Sequence, residues 1–267
     1  MNKKLDWWTG GGSVTAEYQA ILDRATALGY THPSASVKTA QNAMVVALKA
    51  AGIWNKLDFL YVPANDVSSN FWKLNWIAPS SYECTEPGGA VTKSSGGIKG
   101  NGSSTYASTN FTPSTQATKL TTSNGSQAIY MHTVPASGSI LCGARNVAGT
   151  NPYLYFQYTN ASSFTYRTLD DVGGNTYTGG TPSGSFMYAE ITAAGGYALY
   201  KNGVSVHSSV GATTLGLPTT PLFIGGSSGS TSFADVVIGF YAAGEILNGV
   251  QADLYNAWAA YKTALGI

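Results

Sequence analysis

Charge is what this sequence has least of. Of its 267 residues only 10% are Asp, Glu, Lys or Arg, against about a quarter in an average soluble domain. The 14 basic and 13 acidic residues leave a formal net charge of +1. That balance argues against a nucleic-acid binder, which needs a basic surface to release counterions. It argues equally against a basic membrane-surface protein. Cysteine occurs twice, and Cys84 and Cys142 are too few and too far apart to form a metal site alone. One disulfide or two reduced thiols packed as small apolar groups would account for them, and the second is expected. Long apolar runs are absent too. No window approaches the roughly 20 residues of a transmembrane helix. After Met1-Asn2-Lys3-Lys4 the chain continues Leu5-Asp6-Trp7-Trp8, without the apolar run of about seven residues that a signal peptide requires.

In place of charge the chain carries 32 glycines, 17 tyrosines and Ser plus Thr at roughly one residue in five. Aromatic residues make up 12%, too many for a disordered chain. Three segments follow from the periodicity. Residues 1–54 form an N-terminal helical segment. Val14, Tyr18, Ile21, Leu22, Ala25 and Leu28 keep helical spacing, Ser13 or Thr15 can cap the start, and Gly29 stops it. A second helix carries Val37, Ala40, Met44 and Leu48 and stops at Gly52, giving an αα-hairpin. Residues 248–267 form a C-terminal helix striped by Val250, Leu254, Trp258, Tyr261 and Leu265. Asn248-Gly249-Val250-Gln251 fits a capping box at its start. Between them, residues 55–247 read as many short strands separated by Gly, Ser, Thr and Asn turns, the pattern of a sandwich or jelly roll. Lys201-Asn202-Gly203-Val204 is the clearest hairpin, since Asn-Gly supplies the positive φ values of a two-residue type I′ turn. Before it, Tyr197, Leu199 and Lys201 alternate with Ala198 and Tyr200 as on a half-buried strand. One mainly β domain with both helical flanks packed on it is predicted.

Catalytic patterns are hard to find. A glycoside hydrolase needs two carboxylates on one face, about 5–5.5 Å apart for retention or 6.5–9.5 Å for inversion. Same-face strand residues are spaced by two, yet Glu83 and Glu86 are three apart and Glu190 is isolated between Ala189 and Ile191. None of the three histidines, His32, His132 and His207, accompanies a Gly-x-Ser-x-Gly elbow. No phosphate-binding glycine loop opens a helix. No enzyme activity, cofactor or metal is therefore expected.

The run from Gly97-Ile98-Lys99-Gly100-Asn101-Gly102 to Asn110-Phe111 resembles the early strand pair of laminin-G-like, concanavalin A-like jelly rolls. Tyr197-Ala198-Leu199-Tyr200-Lys201-Asn202-Gly203-Val204, Leu222-Phe223-Ile224-Gly225-Gly226 and Ala234-Asp235-Val236-Val237-Ile238-Gly239-Phe240-Tyr241 are similar to later strands of that fold, in its order. The flanks Thr39-Ala40-Gln41-Asn42, Ala51-Gly52-Ile53-Trp54-Asn55-Lys56-Leu57-Asp58 and Leu254-Tyr255-Asn256-Ala257 resemble virion proteins of crAss-like bacteriophages and prophages of Bacteroidetes. That resemblance implies a structural virion component: a head-fibre, decoration or tail-fibre protein with a role in host attachment. Such a protein folds in the host cytoplasm, leaves by lysis and needs no export signal. Its partners would be other virion proteins, further copies of itself in a dimer or trimer, and a bacterial surface glycan, with no nucleic acid or membrane.

A carbohydrate-binding receptor is the second reading, and a polysaccharide hydrolase the third. Sugars stack their apolar faces on aromatic rings and accept hydrogen bonds from polar side chains. Tyr153, Tyr155 and Gln157 share one face of a predicted strand, with Leu154, Phe156 and Tyr158 on the other. If the leucine side is core, the first set is exposed, and Tyr166, Arg167 and Tyr177 lie nearby. Tyr153, Tyr155, Gln157, Tyr166 and Arg167 are therefore the candidate glycan-binding residues. The same tyrosines could instead fill the sandwich or an oligomer interface, which is the preferred expectation. Trp7 and Trp8 either pack back on the domain or anchor it to another virion subunit.

Overall fold

A computed structural model describes residues 13–65, 70–134, 138–144, 152–160, 163–170, 175–179, 183–192, 196–210, 216–227 and 232–267. Trp7 and Trp8 lie outside these residues.

Two helices, α1 (Ala16–Ala27) and α2 (Ala35–Ala50), open the described chain. Of the predicted stripes they bury Tyr18, Ile21, Leu22 and Ala25 on α1 and Val37, Met44 and Leu48 on α2, where Gln41 and Val45 join them, while Val14 is exposed and Leu28 and Ala40 are half-buried. Of the two candidate caps of α1 it is Thr15 whose side chain accepts from the Tyr18 N–H, at 3.3 Å. Strands β1 (Leu57–Tyr61), β2 (Thr92–Ser94), β3 (Gly97–Lys99) and β4 (Ala107–Ser108) follow, then a single helical turn, α3 (Pro113–Gln116). Next come β5 (Ser126–Met131), β6 (Ser139–Ala144), β7 (Tyr153–Asn160), β8 (Ser163–Asp170) and β9 (Asn175–Tyr177). The remaining strands are β10 (Ser185–Ile191), β11 (Tyr197–Lys201), β12 (Val204–Ser209), β13 (Phe223–Ile224) and β14 (Val237–Gly244), and helix α4 (Gln251–Leu265) closes the chain. Asn202 and Gly203 take φ of +52° and +78° between β11 and β12, the left-handed pair that a type I′ turn demands.

The described strands form two antiparallel sheets. The first runs β12-β11-β10-β5-β14-β3-β2, and β1 lies beside β14 past the end of β3. The second runs β4-β13-β6-β7-β8-β9. Between them lies one apolar core, which takes Ile129 and Met131 of β5, Met187 and Ala189 of β10, and Tyr241 and Ala243 of β14. The alternate residues, Ala128, Tyr130, Phe186, Tyr188, Phe240 and Ala242, point away from the second sheet into another core built with α1, α2 and α4. The first sheet is thus the middle of three layers. That is why β5 and β10 are buried along their whole length, and why Tyr197, Ala198 and Leu199 of β11 are all buried rather than alternating.

Polar groups cross-link the layers. The Tyr18 hydroxyl donates to Gln41 Oε1 at 2.5 Å, Gln41 Nε2 donates to the Tyr261 hydroxyl at 3.1 Å, and that hydroxyl donates to the Ala64 carbonyl at 2.6 Å. This chain ties α1, α2 and α4 to the segment after β1. Between the sheets, the fully buried Gln127 of β5 donates through Nε2 to the Tyr155 carbonyl at 3.2 Å and the Arg167 carbonyl at 2.6 Å. A buried amide without acceptors costs about 1–3 kcal/mol, so this pairing selects one mutual placement of the sheets. Cys84 and Cys142 are both buried free thiols, and burial pushes both thiols well up.

The predicted capping box of α4 does not form. Val250 holds the cap position without a side-chain hydrogen bond. Gln251 turns inward instead and donates through Nε2 to Glu190 Oε1 at 2.8 Å. A buried carboxylate needs a donor more than a helix-start N–H that water can reach needs an acceptor.

Candidate binding face on the second sheet

Among the described residues the helices pack on the first sheet, which leaves the outer face of the second as the candidate site. Register identifies its side chains. Ala107, Ile224, Cys142, Phe156 and Tyr166 pair across β4, β13, β6, β7 and β8 and all enter the inter-sheet core. The neighbouring row, Ser108, Phe223, Gly143, Tyr155 and Arg167, therefore points outward.

Arg167 is the centre of one half of this row. Its guanidinium carbon stands 4.8 Å from the centroid of the Tyr153 ring and 5.7 Å from that of Tyr155, and the two rings meet edge to face at 5.8 Å. A cation over an aromatic face is attracted by the ring quadrupole. Tyr153, Gln157, Thr165 and Arg167 are half-buried. Tyr155 faces outward as the alternation predicts, but with 4% of its surface exposed it serves as a wall for Arg167 rather than as a free platform.

Tyr166 does not join this group. Its register opposite Phe156 turns it into the core, where it is fully buried and its hydroxyl lies 2.8 Å from His207 Nδ1. One position along the strand is enough to reverse the face. Tyr177, opposite Phe164 on β9, packs against the same core.

The other half of the face was not legible in the sequence. Tyr106 stacks on Phe223 with centroids 4.3 Å apart and on Phe233 at 5.4 Å, interplanar angles 24° and 16°. All three rings are half-buried. Between Phe223 and Tyr155 stands Gly143, with φ +123° and a position where a Cβ would sit 2.0 Å from the Leu154 carbonyl oxygen. Gly143 is itself buried, and its strand separates the two aromatic groups, whose strands lie roughly 10 Å apart at standard spacing.

The carboxylates weighed as catalytic groups are each engaged. Glu190, on the helix-covered face, accepts from the Tyr188 hydroxyl at 2.6 Å, the Tyr200 hydroxyl at 3.2 Å and the Leu247 N–H at 3.3 Å besides Gln251. Glu86 accepts from Lys73 at 2.7 Å and the Val91 N–H at 2.8 Å. Burial alone would raise the Glu86 carboxyl, but these two partners outweigh it and hold it below the usual range. Glu83 pairs with Arg24 at 3.6 Å and accepts from the Tyr30 hydroxyl. Among the described residues no three His, Cys, Asp or Glu side chains gather as a metal site, and no helix is long and apolar enough to cross a membrane.

Burial, then the Glu83 acceptor, pushes Tyr30 up to about 12. Free tyrosine loses its proton near 10, so between these values the folded chain binds more protons than the unfolded one. Stability present below pH 10 is therefore lost as pH rises through about 12. The melting temperature should fall over this window, and fall less in Tyr30→Phe. Equal falls in both chains would show that the Tyr30–Glu83 contact does not contribute.

Fold and face together define a class, the antiparallel two-sheet β-sandwich with helices at both ends. Comparison with known families finds no match, and no characterised protein is similar in sequence. Solved structures do share the architecture. A Trypanosoma rangeli sialidase, bound to a difluorinated ketodeoxynononic acid, matches 84% of this chain with TM-score 0.55 and 10% identity. The same sialidase in complex with sialic acid matches 83% with TM-score 0.54 and 11% identity. A point mutant of HCR/D matches 78% with TM-score 0.54 and 12% identity. The chain spans about two fifths of the sialidase and about half of HCR/D, 40% and 53% respectively. These likenesses are of fold.

Proposed function

We propose that this chain is a non-catalytic, glycan-binding jelly-roll module on the surface of a bacteriophage particle, serving as a fibre or decoration protein in host attachment. The observation that carries the binding part is the outer side of the second sheet, where Tyr153 and Arg167 stand on one side of strand β6 and the Tyr106–Phe223–Phe233 stack on the other. Half-buried rings offer the flat apolar contact that a sugar's C–H face takes up, and Gln157 and Thr165 beside them offer hydrogen bonds to hydroxyls. The sialidase likeness supports a sandwich compatible with carbohydrate binding. Support for the virion setting is the sequence resemblance in the helical flanks. A charge-poor surface near neutrality favours association, which suits a dimer or trimer docked on other virion proteins. The non-catalytic part rests on Glu83, Glu86 and Glu190, each taken up by structural partners.

An array of bacterial capsule polysaccharides tests this reading. Tyr153→Ala is expected to weaken binding by about tenfold, which is about 1.4 kcal/mol, while Glu83→Gln and Glu86→Gln leave it unchanged. An array without hits would remove the glycan-binding role. Reducing-sugar release that vanishes in Glu190→Gln would overturn the non-enzyme reading.

A further inference from the structure

We infer that the ligand of this face is an acidic saccharide, and that Arg167 recognises its oxyanion, carboxylate or sulfate; this rests on the glycan-binding reading and specifies its ligand. A guanidinium carries five N–H donors and no acceptor. In Arg167 both Nε and Nη1 are sealed from solvent and have no hydrogen-bond partner. Its side chain touches the rings of Tyr153 and Tyr155, which attract the charge but accept no proper hydrogen bond. The ion pairs among the described residues are Arg24–Glu83, Lys49–Glu17, Lys56–Glu245 and Lys73–Glu86, so no described carboxylate neutralises Arg167.

A half-buried cation in this state is costly to keep, because desolvated charge is normally paired and hydrogen-bonded. In a chain with so little charge to spare, a cation that no described carboxylate compensates has a use as a receptor for charge brought from outside, its Nε and Nη1 turning outward to meet it. A planar fork is also the group that best matches a carboxylate or sulfate. The backbone beside it is unusual in the same sense. Two residues on, Leu169 takes φ +66° where β8 slips register against β7. A bulky residue in the left-handed region is strained, and strained bulges gather where a side chain is being aimed. Here the bulge turns the Leu169 side chain into the core while Arg167 stays on the outer face.

The test prints acidic capsule polysaccharides beside their carboxyl-reduced forms, together with sulfated galactans, and follows the best binder by calorimetry on the full chain. The unaltered chain is expected to prefer an acidic polymer over its reduced form by about tenfold or more, and to lose affinity as salt rises. Arg167→Gln should bind both forms alike. Arg167→Lys, which keeps the charge without the planar fork, should keep only part of the preference. Dependence on Arg167 with the sulfated polymer alone assigns sulfate as the oxyanion. Equal binding of native and reduced polymers together with no Arg167-dependent binding of the sulfated galactans, or a preference that survives Arg167→Gln, overturns the inference. Binding to neutral glycans that still weakens in Tyr153→Ala would then leave the proposed function standing. Binding to none of the polymers overturns both. If Arg167→Gln does not fold, the comparison of native with reduced polymer on the unaltered chain still decides.

Discussion

Deleting residues 249–267 is expected to give insoluble or molten protein. The deletion takes away α4, whose Leu254, Ala257, Trp258 and Tyr261 are buried against the first sheet. Trp258 packs its ring 4.7 Å from Tyr130 and 5.3 Å from Phe240, both on central strands. The loss would expose those rings to water, strip Glu190 of Gln251, and leave Gln41 on α2 without the Tyr261 hydroxyl. Burying a large aromatic side chain contributes several kcal/mol, and Trp258→Ala alone should cost about 3–5 kcal/mol. A domain has about 5–15 kcal/mol in all, so the whole helix exceeds what the fold can lose. Soluble yield and thermal melts measure it. A soluble truncated chain with an unchanged melting temperature would make α4 an appendage.

Asp58→Ala should be the most damaging single polar substitution. Asp58 lies on β1 where its register against β14 shifts, and it is 8% exposed. Its carboxylate accepts from the N–H of Thr118 at 2.7 Å, Lys119 at 3.0 Å and Leu120 at 2.7 Å, and from the Thr118 hydroxyl at 3.0 Å. One side chain thus terminates three consecutive backbone donors in the segment that leads to β5. Hydrogen bonds to a charged group contribute about 1.5–3 kcal/mol each, and a buried donor left unmade costs about 1–3. Since water can reach part of the segment, a loss of about 3–5 kcal/mol in urea unfolding is expected. Asp58→Asn keeps one acceptor oxygen and should fall between. A loss below about 1 kcal/mol would mean that water replaces the carboxylate there.

The layering has a functional consequence. The central strands of the first sheet, β5 and β10, are buried on both faces because helices cover one and the second sheet the other. Neither face is then available to a ligand. Binding chemistry is left to the outer side of the second sheet, where Tyr153, Arg167 and Phe223 keep part of their surface in water.

Much of the frame was determined by the sequence alone. The helix stripes from Tyr18 to Ala25 and from Leu254 to Tyr261, the Asn202-Gly203 turn, and strands such as Ser185–Ile191 and Tyr197–Lys201 stand where local periodicity and turn chemistry put them. Alternation along β7 also correctly sent Tyr153, Tyr155 and Gln157 to one side and Leu154, Phe156 and Tyr158 to the other. Such features depend on φ preference and on which face meets water, and both are written in neighbouring residues. Three things were decided only by tertiary structure. Tyr166 goes inward because register with β7, set across the sheet, assigns its face. Gln251 abandons a helix cap because Glu190, 61 residues away in sequence, offers a buried acceptor. Tyr106, Phe223 and Phe233 stack because β4 and β13 pair and a bridge brings Gly226 beside Phe233. Contacts between distant residues carry no local period, so no sequence window could have contained them.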